Sequence, residues 1–117
     1  MPFFTALKFT EEVFRGLMRD LIDHKDNIGS TYDQVWHWVV NNFKKYNKGQ
    51  FSINKEIALK DFTRLCVNYS NLVNAFVTKN VAIAEYSLLQ IIDVFGLSLS
   101  LIDEYLNLLF TPEERAN

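Results

Sequence analysis

Apolar residues recur along most of this chain at intervals of three and four, the spacing of one face of an α-helix. After Thr10 they fall at Val13, Phe14, Leu17, Met18, Leu21 and Ile22. Thr10 suits a helix cap, and Glu11 and Glu12 follow where the positive helix end favours acids. This stripe is expected to stop in Asp23-His24-Lys25-Asp26-Asn27, with a loop at Gly29. A second helix is predicted from Ser30 or Thr31, with Tyr32, Val35, Trp36, Val39, Val40, Phe43 and Tyr46 on its apolar face. Lys44 and Lys45 suit its negative end, and Asn47-Lys48-Gly49 stops it. Phe51-Ser52-Ile53-Asn54 reads as a connector. A third helix starts between Asn54 and Lys60 and carries Leu59, Phe62, Leu65, Cys66, Tyr69, Leu72, Val73, Phe76 and Val77. Ser70-Asn71 has low helix propensity and is a point where it can divide.

Beyond the polar Thr78-Lys79-Asn80, a fourth helix is predicted from Val81 to Phe95, ended by Gly96. It is apolar nearly all round, at Leu88, Leu89, Ile91, Ile92 and Phe95, so it is expected to be the most buried. Ser98 or Ser100 caps a fifth, filled by Leu101, Ile102, Tyr105, Leu106, Leu108, Leu109 and Phe110. Thr111-Pro112-Glu113-Glu114 has the order of a last helix start: a cap, proline at the first position, then acids. Upstream, Phe3, Phe4, Leu7 and Phe9 fit either a short helix or an extended arm. No segment alternates as a strand does. The expected fold is an all-α, compact single-domain bundle of about five or more helices spanning residues 1–117.

Composition narrows this picture. At 117 residues and 49% hydrophobic, the chain suits one domain that buries its own core without disulfide or metal. With 4 Gly and 2 Pro it is no turn-dense β chain, and 15% aromatic residues argue against disorder. The single cysteine, Cys66, permits no internal disulfide. It shares a helix face with Phe62, Leu65 and Tyr69 and reads as a small buried hydrophobe. Met1–Lys8 has no signal-peptide order, and Leu97–Phe110 is interrupted by five polar residues, short of the roughly 18 apolar residues of a membrane span. A cytoplasmic protein is expected.

No catalytic constellation appears. Nucleophilic and general-base chemistry need a positioned base, and the two histidines, His24 and His37, have no link in sequence to Cys66. The expectation is therefore no enzyme, no cofactor and no metal. Asp20, Asp23, His24 and Asp26 resemble a ligand set, but such clusters at helix ends are mostly solvated, and no second ligand pair accompanies them. In Trp36-His37-Trp38 successive side chains diverge by about 100°, so only Trp36 fits the core stripe. Trp38 either packs on a neighbouring helix or serves as a contact hot spot. Asn68-Tyr69-Ser70 matches a glycosylation sequon but lies within a predicted helix.

Charge is unevenly distributed. Residues 44–64 hold Lys44, Lys45, Lys48, Lys55, Lys60 and Arg64 against Glu56 and Asp61, a net charge of +4. Residues 80–117 hold Glu85, Asp93, Asp103, Glu104, Glu113 and Glu114 against Arg115, a net charge of −5. The whole chain carries only −2, with a pI near 5.6, which disfavours a dedicated nucleic-acid binder. The basic segment still leaves a nucleic-acid-binding regulator as an alternative, while the acidic third suits a basic protein partner.

The layout of that third has a parallel. Glu85-Tyr86-Ser87-Leu88-Leu89-Gln90-Ile91-Ile92-Asp93, then Gly96-Leu97-Ser98-Leu99-Ser100, then Ile102-Asp103-Glu104-Tyr105 forms an acid-aromatic helix opening, a short elbow and an acidic helix. This resembles segments of the small all-helical immunity proteins that bacteria carry against bacteriocins and toxins of contact-dependent growth inhibition. The resemblance implies a non-catalytic protein that occludes the active site of a cognate nuclease-type toxin. On that reading Asp103 and Glu104, off the apolar stripe, make the main contact, extended by Glu113, Glu114 and Glu85. Trp38 is the further candidate contact residue.

Overall fold

The computed structural model describes residues 10–46 and 59–116. Within them helices joined by short turns, and no strands, make up the chain: α1 (Thr10–Ile28), α2 (Tyr32–Tyr46), α3 (Leu59–Thr78), α4 (Val81–Phe95), α5 (Ser100–Leu109) and α6 (Pro112–Ala116). The readings made for Phe3, Phe4, Leu7, Phe9, Asn47 to Gly49 and Phe51 to Asn54 lie outside the described residues.

The apolar stripes meet in one core. α3 and α4 form an antiparallel hairpin: a two-residue turn joins them, and Arg64 near the start of α3 pairs with Asp93 near the end of α4 at 2.9 Å. α1 packs on α2, α3 and α4, and α5 closes against α4. Aromatic rings tie these layers together. Tyr105 of α5 meets Phe14 of α1 at 5.3 Å, and Phe14 meets Phe95 of α4 at 6.0 Å, both edge to face. Phe95 stacks on Phe43 of α2 at 6.1 Å, and Phe43 touches Phe62 of α3 at 6.1 Å. Each such pair contributes about 0.5–1.5 kcal/mol beyond the area it buries, so this relay fixes the mutual orientation of five helices. The Cα radius of gyration, 13.6 Å, is that of a compact chain of this length.

Several helix boundaries follow their capping chemistry. Thr31, not Ser30, caps α2: its hydroxyl accepts the Gln34 N–H at 3.2 Å while Gln34 Oε1 accepts the Thr31 N–H at 3.1 Å. Asn80 caps α4 through the Ile83 N–H, and Gly96, at φ 69°, ends it in the left-handed conformation that glycine adopts most easily.

Other expectations are corrected. α1 does not stop at Asp23. It kinks at His24 (φ −130°, ψ 24°) and continues to Ile28, because Ile28 is itself a buried core residue. Ser70-Asn71 does not divide α3: the Ser70 hydroxyl donates to the Ser30 carbonyl, and the neighbouring Tyr69 hydroxyl donates to the Leu17 carbonyl at 2.8 Å. α5 starts at Ser100 with no side-chain cap from its preceding residue, Leu99; the Ser98 hydroxyl instead accepts the Ser100 N–H at 3.3 Å. α4 is not buried all round, since Ile83, Tyr86 and Leu89 lie on an exposed face.

Candidate protein-docking face

The acidic residues of the C-terminal third fall on α4, α5 and α6. Leu101, Tyr105 and Leu109 turn one face of α5 into the core, which leaves Asp103 and Glu104 on the outer side. Glu104 Oε2 accepts from Arg15 Nη1 at 2.8 Å. Arg15 also donates to the Tyr105 hydroxyl at 2.9 Å and lies 3.4 Å from Glu11 Oε1. The bond to Glu104 raises the Arg15 pKa above its already high ordinary value. The acidic surface of α5 is thus continuous with the first turns of α1.

Asp103 faces the other way along the chain. Its Oδ1 lies 3.2 Å from Arg115 Nη2, and Arg115 also donates to Asn107 Oδ1 at 2.5 Å. These contacts clamp α6 onto α5, yet the Asp103 side chain remains 81% exposed. Glu114 is held more tightly. Its Oε1 accepts the Thr111 N–H at 2.8 Å, and the Thr111 hydroxyl accepts the Glu114 N–H at 3.1 Å, a reciprocal capping box. Its Oε2 lies 3.5 Å from Lys79 Nζ. The Thr111 N–H above all, and Lys79 after it, hold the Glu114 carboxyl below its usual range. Glu113 and Glu85 are exposed and form no ion pair among the described residues.

Trp38 belongs to a different face. It is half-buried, and its ring lies 5.5 Å from that of His24. Together with Asp20, Asn42, Lys44 and Lys45 it lines a surface groove of about 460 Å³ between α1 and α2. The Asn42 amide donates to Asp20 Oδ2 at 2.7 Å and to the Trp38 carbonyl at 3.0 Å. Asp20 and His24 are thereby occupied in packing α1 against α2. Among the described residues no group of three or more His, Cys, Asp or Glu is placed to hold a metal ion. Cys66 is fully buried, and burial pushes its thiol up to about 12, an effect the Tyr32 hydroxyl partly offsets. Asn68 of the sequon is buried and donates to the Arg64 carbonyl at 2.8 Å.

The basic segment is partly spent inside the fold. Arg64 binds Asp93 at 2.9 Å and Gln90 Oε1 at 2.5 Å. Lys44, Lys45 and Lys60 are exposed, while Lys48, Lys55 and Glu56 lie outside the described residues.

Sequence reasoning did not find Glu11 and Arg15 as members of the acidic face. Arg15 and Glu104 are 89 positions apart, and no local pattern announces such a pair. The Thr111-to-Glu114 spacing did carry a local signal, that of a capping box. Comparison of the chain with protein families, with curated proteins and with solved structures finds no match.

Proposed function

We propose that this chain is a non-catalytic protein-binding module that docks a basic cleft through the outer side of α5 and α6. Following the resemblance, the partner is a nuclease-type toxin, and the chain is the cytoplasmic immunity protein that covers the toxin's active site. A nuclease must attract phosphate, so its cleft is positive, and carboxylates fill it in place of phosphates. The observation that carries this reading is Asp103, which is 81% exposed while an ion pair to Arg115 holds it in place. A carboxylate ordered before binding loses little freedom on docking, and that lowers the cost of association. The nucleic-acid alternative is weaker, because Arg64 of the basic segment already pairs with Asp93.

The test is protection. The chain is co-expressed in a bacterial host with nuclease-type toxin domains, any encoded beside its gene first among them, and growth and affinity are measured. Wild type is expected to rescue growth. Asp103→Lys with Glu113→Lys should weaken binding at least about tenfold, roughly 1.4 kcal/mol. Glu104 is left intact because it anchors Arg15, and Asp103→Asn, which keeps a polar group facing Arg115, controls for release of α6 from α5. Lys44→Glu with Lys45→Glu should change little. If the lysine reversals abolish protection and the acidic ones do not, the face is wrong. Binding to random duplex DNA that falls steeply with salt favours the alternative instead.

A further inference from the structure

Beside the acidic face, α1 and α5 enclose a second feature. A groove of about 270 Å³ runs between them, lined by Arg15, Arg19, Ile22, Asp23, Tyr105 and Leu108. Arg15 sits against Glu104 and Tyr105, while Ile22 lies in the same groove as Leu108, so the two helices run side by side in the same direction. Tyr105 is 5% exposed and forms the floor. Ile22 at 39% and Leu108 at 59% exposed are its apolar walls. Arg15 is committed to Glu104, Glu11 and Tyr105. Arg19, one turn further on, forms no ion pair among the described residues. Asp23 is equally without one and stands at the far end.

Along α1 the order of chemistry is therefore acid at Glu11 and Glu104, then a free cation at Arg19, then an apolar notch at Ile22 and Leu108. From position 11 to position 22 this spans about 16 Å at 1.5 Å per residue. We infer that this groove is the apolar anchor of the docking face and takes a protein segment of complementary order: a basic residue, then a carboxylate, then a bulky apolar side chain seated between Ile22 and Leu108. The groove supplies what the acidic face lacks. Exposed charges alone govern encounter, whereas a desolvated apolar pocket with an acid–base rim holds a complex together. The inference rests on the protein-docking reading above and extends it from α5 and α6 onto α1.

The probe is a randomised twelve-residue peptide library displayed on phage and panned against the full chain. Enriched peptides are expected to carry the basic–acidic–apolar order. Their affinity should fall at least about tenfold with Leu108→Asp and with Ile22→Asp, both exposed positions whose variants keep the helical circular dichroism. Panning against Arg19→Glu should replace the central acid by lysine or arginine, a change of preference that loss of stability cannot produce. Peptides that ignore Leu108→Asp and Arg19→Glu but are lost with Asp103→Lys overturn the groove and leave the acidic face standing. Absence of enrichment overturns the groove. Peptides lost with Leu108→Asp but indifferent to Asp103→Lys keep the groove, which Asp103 does not line.

Discussion

Lys79 takes a backbone conformation that glycine enters more easily. At φ 61° it is the described non-glycine residue in the left-handed region, at the turn between α3 and α4. The turn requires it: the Asn80 N–H reaches back to the Ala75 carbonyl at 2.8 Å, closing the end of α3. The lysine keeps its place through its side chain, which lies 5.3 Å over the Phe76 ring and pairs with Glu114. Lys79→Ala removes those contacts and keeps the strain, whereas Lys79→Gly removes both. Glycine should therefore be more stable than alanine here by about 1 kcal/mol in urea denaturation, the reverse of their order inside a helix. A tie between the two would show that the turn is unstrained. Cys66 gives a second test at this scale. Fully buried and with its thiol held up at about 12, it should resist alkylation in the native protein at neutral pH and react only on unfolding.

At the level of the helices, the approach of α1 to α2 leaves no room for a side chain at Gly16. Gly16 faces Asn42 and Tyr46, and a Cβ there would press into the buried Asn42 amide and reach 3.0 Å from the Tyr46 ring. Gly16→Ala gains about 1 kcal/mol in helix propensity, but overpacking of this kind costs about 1–3 kcal/mol. Asn42 has little room to yield, since it is held by Asp20 and by the Trp38 carbonyl. Net destabilisation of about 1 kcal/mol is expected, and Asn42→Ala in the same background should relieve part of it. Equal stability of Gly16→Ala and wild type would mean that the two helices can move apart freely. The same contact explains Trp38, whose ring is used between α1 and α2 and not on the acidic side.

The whole molecule should have a stability plateau bounded by different groups on each side. On the alkaline side, burial raises Cys66 from 9.0 to about 12, and lifts Tyr69 well above 10.0, with Tyr32 and Tyr105 also raised. The folded state then holds these protons more firmly than the unfolded chain. Their contribution is complete below about pH 9 and is lost as pH rises toward 12. On the acid side Glu114 is lowered from 4.5, so its contribution is present above that pH and is lost as pH falls through its folded value. Denaturation midpoints measured across pH should be flat between these limits. Cys66→Ala should move the onset of the alkaline decline upward, and an unchanged onset would exclude the thiol as its origin.

The all-α class, the apolar faces of the helices and the breaks at Gly29, Thr78 to Asn80 and Gly96 were legible in the sequence. They depend on local spacing and on residues with strong backbone preferences, and these act within one or two turns. The extension of α1 to Ile28 and the continuity of α3 through Ser70 were not, because burial of Ile28 and the bond from Tyr69 to Leu17 come from other helices. The site divides in the same way. That Asp103 and Glu104 leave the apolar stripe follows from helical period alone. That Glu104 is tied to Arg15, Asp103 to Arg115 and Glu114 to Lys79 follows only from how the helices pack. The sequence by itself sets which residues a helix turns outward. Only the tertiary structure decides which outward charges meet, because ion pairing depends on distance in space, and Arg15 reaches Glu104 across 89 positions of chain.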